Sequence, residues 1–313
     1  MDVLIDTDPG IDDALALILA LRSPELGVRA ITVVNGNVPV DQGTANALKV
    51  LDLVERDDVP VAAGAAAPLL RPPRDARVVH GEDGLAGALP DPPRLAAVEG
   101  YGPAFIVRTL EAAPRPMTVI TLGPLTNLAV ALLAAPHVKE RIERLVIMGG
   151  AVRSEGNTVP GAEYNVHCDP EAAAIVLRAG VPITLIGLNV TMRVVFPREL
   201  SERLRGADDP VQRFVGNVTA PLAQLYRRFY GIDGCAMHDP LTVAAAIDPS
   251  VISGQEVWVD VETHGELTAG QTVADFWGIP TPRGQPNALV ALDVDAERFF
   301  DLFYLRVLAY RPD

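Results

Sequence analysis

Short runs of β-branched and leucine residues recur along the chain, each followed by a turn and then by apolar positions at helical spacing. DVLIDTD precedes IDDALALILALRS, VRAITVVNGN precedes DQGTANALKVLDLVER, and MTVITLGP precedes LTNLAVALLAA. ERLVIMGG comes soon after, and PITLIGLNVT leads into one long helical stretch from about Arg198 to Tyr230. Continuous apolar strands alternating with amphipathic helices predict a mostly parallel sheet covered on both faces. The fold class is therefore α/β: an open, doubly wound, Rossmann-like sheet with no repeat of fixed period. Two segments leave the pattern, Pro-rich Pro68–Arg94 and Gly150–Asn165. Irregular loops of that length inside a compact domain usually serve as lids or binding loops. No shift in composition marks a boundary, so residues 1–313 are expected to form a single domain.

Composition narrows the partners. Apolar residues make up 49% of the 313 positions and mean hydropathy is +0.22, enough to build a large core. The net charge of -14 repels phosphate backbones, so neither nucleic acid nor an anionic membrane is the expected partner. Small neutral ligands and cations fit better. Cys168 and Cys235 are the only cysteines, too few for a disulfide framework or a zinc finger. The opening MDVLIDTD has no basic region ahead of a long apolar run, and the apolar stretches end well short of the ~18 residues that span a bilayer. A cytoplasmic location is the expectation.

In an open parallel sheet, ligands bind at the carboxyl ends of the strands. Those ends carry Asp6, Asp8, Asp12 and Asp13 after the first strand, and Asn35 and Asn37 after the second. A Gly-Pro-Leu-Thr-Asn turn follows MTVITL, a Gly-Gly loop leads to Asn157, Glu163 and Asn165, and Asn189 follows ITLIG. Five strands thus deliver carboxylates and amides to one edge, which predicts a polar, anionic cleft. Singly, the acids of DTDPGIDDALAL have local uses: Asp8 could cap the helix with Pro9 at its first position, and Asp12 and Asp13 suit the helix dipole. Four together repel unless a cation lies between them or some are protonated. Ligands that are all oxygen point to Ca²⁺ or Mg²⁺. Asp8 and Asp13 flank the turn and could face one ion, with Asp239 of His238-Asp239-Pro240 as a distant third carboxylate. His238 beside it is either a buried structural histidine or a proton donor near neutral pH.

These residues resemble the inosine-uridine-preferring nucleoside hydrolase family. The match runs in order through the whole chain: DTDPGIDDALAL, Gly36-Asn37, HGEDGL from His80, LGPLTN from Leu122, MGG from Met148, AEYN from Ala162, DPEAA from Asp169, and HDP from His238. The resemblance implies hydrolysis of the N-glycosidic bond of ribonucleosides to free base and ribose, with bound Ca²⁺. It further implies that Asp8, Asp13, Asp239 and the backbone carbonyl of Leu122 ligate the ion, with two ribose hydroxyls and a water completing a shell of roughly six to eight oxygens. Asp8 would also be the general base toward that water. Asp12, Asn37 and Asn165 would hold the 2′ and 3′ hydroxyls, Asn157 and Glu163 the 5′ hydroxyl, and Asp6 would support the carboxylates from behind. His238 would protonate the leaving base, as in the subgroup with His and not Cys at this position. His80 is expected in a lid, and Tyr226, Phe229 and Tyr230 lie either against the base or on an ordinary buried helix face. Family members suggest a homotetramer or a homodimer.

Two other readings compete. LIDTD resembles the nucleophile motif of haloacid-dehalogenase-like phosphatases, but Lys49 and Lys139 are the only lysines and neither follows a suitable strand. A nucleoside phosphorylase lacks cationic phosphate ligands for the same reason. A Ca²⁺-dependent nucleoside- or ribose-binding protein without turnover would need neither the base Asp8 nor the acid His238.

Overall fold

The computed structural model describes residues 1–278 and 284–310. Eleven named strands lie among them. Nine form the central sheet: β1 (Asp2–Thr7), β2 (Gly27–Val33), β3 (Val61–Ala63), β4 (Met117–Thr121), β5 (Ile142–Met148), β6 (Ile183–Ile186), β9 (Ile252–Val261), β10 (Thr272–Asp275) and β11 (Ala288–Val294). β7 (Val195–Pro197) and β8 (Gly234–Ala236) make a separate antiparallel pair. The helices are α1 (Ile11–Leu21), α2 (Val40–Leu53), α3 (Arg77–His80), α4 (Gly102–Ala112), α5 (Thr126–Ala134) and α6 (Tyr164–Cys168), followed by α7 (Pro170–Leu177), α8 (Leu188–Thr191), α9 (Arg198–Leu204), α10 (Pro210–Tyr230), α11 (His238–Ile247) and α12 (Ala296–Phe303).

The sheet order is β10-β9-β11-β6-β5-β4-β1-β2-β3. From β3 to β11 every neighbouring pair is parallel, and only β9 and β10 add antiparallel pairings at one end. The chain winds outward from β1 through β2 to β3, then crosses back to place β4 on the other side of β1. That reversal opens a crevice at the carboxyl ends of β1 and β4, where doubly wound sheets bind ligands. Asp8 follows β1 and Leu122 follows β4, so both stand at the mouth of this crevice.

Strand alternation sorts the core into two layers. Val3 and Ile5 of β1 pack on one face with Ile31, Ile120 and the helices α1, α10 and α11, while Leu4 turns to the other face with Val119, Leu145 and α5. Helix α1 is apolar on nearly every side and all of it but Asp12 is buried, as expected for a helix pressed between the sheet and α11. Truncating a buried side chain there, such as Leu17, to alanine costs about 2–5 kcal/mol.

The expected long helix from Arg198 to Tyr230 is two helices. Gly206 lowers helical propensity, and Pro210 disfavours helical geometry at Asp209. Asp209 therefore caps α10, accepting from the Gln212 N–H at 2.8 Å. Among the described residues no helix is long and apolar enough to cross a membrane.

Candidate active site

The start of α1 builds the floor of the site. Asp8 does not cap the helix and Pro9 does not open it, contrary to the local reading of the motif. Gly10 is the N-cap, and Asp13 in the first turn accepts from the Gly10 N–H at 3.0 Å. Asp13 is further gripped by the Thr7 hydroxyl at 2.5 Å, the Asp8 N–H at 3.2 Å and the Asn37 side-chain amide at 2.9 Å. Proline has no N–H to donate at the turn. The carboxylate cap therefore comes from inside the helix, and Asp8 is left free for other work.

Asp8 is fully buried. One oxygen accepts from the Asn37 N–H at 2.7 Å; the other, Oδ1, has no hydrogen-bond partner. Backbone closes in around it only because two neighbours lack a side chain: a Cβ on Gly36 would lie 2.0 Å from Asp8 Oδ2, and one on Gly123 would lie 2.4 Å from Oδ1. Burial pushes the Asp8 carboxyl well above the usual range, and the charge of Asp13 pushes it further. Asp12 is pushed up to about 7 by burial and then by Asp13, and its Oδ1 is likewise without a partner. Asp239, in the first turn of α11, rises for the same two reasons, burial first and then Asp12, Asp13 and Asp8. Oxygens of Asp12, Asp13 and Asp239 lie within 4.8 Å of one another. Buried acceptors that repel one another and include orphaned oxygens are the donor set a hard cation neutralises.

Behind this floor Asp6 accepts from Thr32 at 2.5 Å and Asn127 at 2.8 Å. Burial nevertheless pushes it up to about 7. Asn127 also spans Val33 and Ala65, tying β1, β2 and the loop after β3 together.

Above the floor opens a cavity of about 290 Å³. Asp12, Asn37, Leu122 and Asp239 form its base, and Asn157, Glu163 and Asn165 one wall. Glu163 caps the short helix α6, accepting from the N–H groups of Gly150, Asn165 and Val166 at 2.8–3.1 Å. Burial raises its pKa against those bonds. The Asn165 amide donates to the Leu122 carbonyl at 2.6 Å, and Asn157 Oδ1 accepts from the Tyr164 N–H at 2.9 Å. His80, Tyr226, Tyr230 and His238 make a second wall, with the Tyr226 ring against both Tyr230 and His238. Tyr226 Oη lies 2.7 Å from His238 Nε2, and Thr191 Oγ1 lies 2.7 Å from Nδ1. His80 Nδ1 accepts from the Ile11 N–H at 3.0 Å. Burial pushes both imidazoles down to about 4, with His80 acting further on His238.

The structure thus gathers ten of the thirteen residues expected from the sequence around one cavity, with Asp8 and Asp13 directly beneath it and Asp6 deeper. Tyr226 and Tyr230 face the cavity, whereas Phe229 is 63% exposed and does not line it. Cys168 and Cys235 are buried and free.

A family model described as inosine-uridine preferring nucleoside hydrolase matches residues 3–301. The chain belongs to the inosine-uridine preferring nucleoside hydrolase family. It is 41% identical over 312 residues to the pyrimidine-specific ribonucleoside hydrolase RihA of Citrobacter koseri, covering 99% of both chains. Among solved structures it superposes on the plant nucleoside hydrolase PpNRh1 with a TM-score of 0.93 at 36% identity, covering 99% of both chains. It also superposes on the purine-preferring ribonucleoside hydrolase of Gardnerella vaginalis with a TM-score of 0.91 at 32% identity, covering 99% of this chain and 98% of the other. Nucleoside hydrolases cleave the N-glycosidic bond of nucleosides.

Three residues that support the cavity were given no role from the sequence: Asn127, Thr191 and Tyr164, whose hydroxyl donates to the Gly36 carbonyl at 2.9 Å. Asn127 stands in the first turn of α5, after β4, and Thr191 ends the short helix after β6. Asn127 lies close behind a strand end, where that positional rule applies.

Proposed function

We propose that the chain is a Ca²⁺-dependent ribonucleoside hydrolase that releases free base and ribose. The observation that carries the reading is the buried carboxylate Asp8, one oxygen unpartnered, beneath a cavity rimmed with amides and acids. Asp8, Asp13, Asp239 and the Leu122 carbonyl would hold the ion. The Leu122 oxygen already accepts from Asn165, and a carbonyl has a second lone pair to give. When bound, Ca²⁺ supplies the positive charge that relieves repulsion among these acids and a centre on which ribose hydroxyls can be ordered.

The protein's own groups do the rest. Asp12, Asn37 and Asn165 hold the 2′ and 3′ hydroxyls, and Asn157 with Glu163 holds the 5′ hydroxyl. Glu163 would face a 5′-phosphate, so nucleotides are poor substrates. As the C1′–N bond breaks, its electron pair goes to the base and C1′ becomes oxocarbenium-like. The anionic floor stabilises that charge. Asp8 takes a proton from the water that adds to C1′. His238, with the Tyr226 hydroxyl on its Nε2, stands on the side from which the departing base is protonated. Burial keeps the resting ring neutral at pH 7. As negative charge builds on the departing base, the imidazolium is favoured. The ring takes up a proton from solvent, passes one from Nε2 to the base and returns to its neutral form.

Relatives named as pyrimidine-specific match at 41% identity, which favours uridine and cytidine over purine nucleosides. Product analysis in phosphate-free buffer tests the reading. Free ribose and base from uridine are expected; binding of uridine without any product would favour the binding-protein alternative.

A further inference from the structure

The imidazole of His238 is held at both ends. Its Nε2 meets the Tyr226 hydroxyl at the cavity wall, and its Nδ1 meets the Thr191 hydroxyl on the side away from the cavity, each at 2.7 Å. Tyr226 and His238 line the cavity; Thr191 does not. Thr191 is fully buried, and the ring is the hydrogen-bond partner of its hydroxyl among the described residues. It comes from α8, at the end of β6, whereas His238 opens α11 and Tyr226 belongs to α10. Three separate elements therefore converge on one ring.

We propose that Thr191 is a positioning residue for leaving-group activation, fixing the His238 ring so that Nε2 alone faces Tyr226 and the nucleobase. The proposal rests on the ribonucleoside hydrolase reading. Which imidazole nitrogen serves the reaction is set by the bond the other makes. A hydroxyl is both donor and acceptor, so Thr191 can hold Nδ1 whether or not that nitrogen carries hydrogen. The ring then keeps one orientation throughout the reaction, with Nε2 toward Tyr226. Without the hydroxyl, Nδ1 is a buried polar atom with no partner, and the ring is free to turn Nε2 away from Tyr226.

The test compares Thr191→Val, which keeps the shape and removes the hydroxyl, with Thr191→Ser, which keeps the hydroxyl. Each is assayed on uridine and on 4-nitrophenyl β-ribofuranoside, whose phenolate leaves without a proton. A positioned proton donor contributes roughly 10²–10⁴-fold, and loss of its orienter should forfeit about tenfold or more of that. The expected result is a fall of this size in kcat on uridine for Thr191→Val, with KM and the nitrophenyl riboside rate within about threefold of the parent. Thr191→Ser should restore uridine turnover to within about threefold. Equal losses on both substrates would show a scaffold role and overturn the proposal, as would undiminished uridine turnover in Thr191→Val. Uridine turnover by the parent chain is measured first, so a failure of the hydrolase reading shows there and not in the variants.

Discussion

The two halves of the cavity are built on different plans. Apart from Asp239 of α11, the floor is made of groups that follow β1, β2 and β4, three adjacent parallel strands, and it is crowded with bonds: Asp13 alone has four donors. The second wall comes from helices, α3 and the distant neighbours α10 and α11, and its key contacts are two hydroxyls on one imidazole. Strand ends in a parallel sheet are fixed by the ladder, so a charge placed there is placed once. Helix faces and loop residues can be retuned without disturbing the sheet. Under the proposed function, the floor would take the ribose and the cation, which every substrate shares, and the wall would take the base, which varies.

Breaking the floor should cost most. Asp8→Asn keeps the shape but cannot take up a proton, and its uridine turnover should fall by a factor on the order of 10³ or more, toward the upper end of the roughly 10²–10⁴-fold span of a single general base. Steady-state kinetics with a direct measurement of uridine binding checks this. Retention of activity would sink the assignment of the base.

Next in size is the close approach around Asp8. Gly36→Ala would force a methyl group within 2.0 Å of Asp8 Oδ2, so the backbone between Asn35 and Asn37 must shift. Misplacement by about 1 Å can cost on the order of 10²-fold in rate, and Ca²⁺ affinity should fall with it. Calorimetric titration of Ca²⁺ reads the second effect. Unchanged affinity would show that the glycine serves packing alone.

On the wall, His238→Ala should cost about 10²-fold on uridine and little on a riboside with an activated leaving group. Tyr226→Phe should cost less on the same substrate, because the ring and Thr191 remain. If either change slowed both substrates equally, the division between floor and wall would be wrong.

The smallest expected effect is on stability against pH. Asp6 and Asp12 have folded-state pKa values pushed up to about 7, from an ordinary value of 3.8. A raised carboxylate binds its proton more tightly in the folded chain. Its contribution is complete below about pH 4 and is lost as pH rises toward 7. Metal-free protein should therefore lose melting temperature across that window. Ca²⁺ needs the ionised acids, so the stabilisation it adds should grow over the same window. Thermal melts at pH 5, 6 and 7, with chelator or with Ca²⁺, check this; a Ca²⁺ effect that shrinks as pH rises would contradict it.

The floor was also the more legible half in the sequence. Asp8, Asp12, Asp13 and Asn37 stand directly after apolar strands, and polar residues there have few uses apart from a ligand. What the sequence obscured was geometry within the turn. Asp8 has the spacing of a cap, but Asp13 takes the Gly10 N–H from inside the helix, and nothing in the residue types distinguishes the two arrangements. Asp209-Pro210 carried a visible stop signal, yet the amphipathic pattern on either side of it read as one helix. Thr191 was hidden for a plainer reason: a lone threonine at the end of a four-residue helix shows its partner only when α8, α10 and α11 are folded together.

The most direct test of the central claim is to strip the protein with a chelator and titrate Ca²⁺ back while following ribose release from uridine. The account predicts no turnover in the stripped protein and full recovery at one bound Ca²⁺ per chain, with Asp239→Asn failing to recover. Full turnover in the stripped protein would contradict it, because the buried acids would then be working without the cation their arrangement demands.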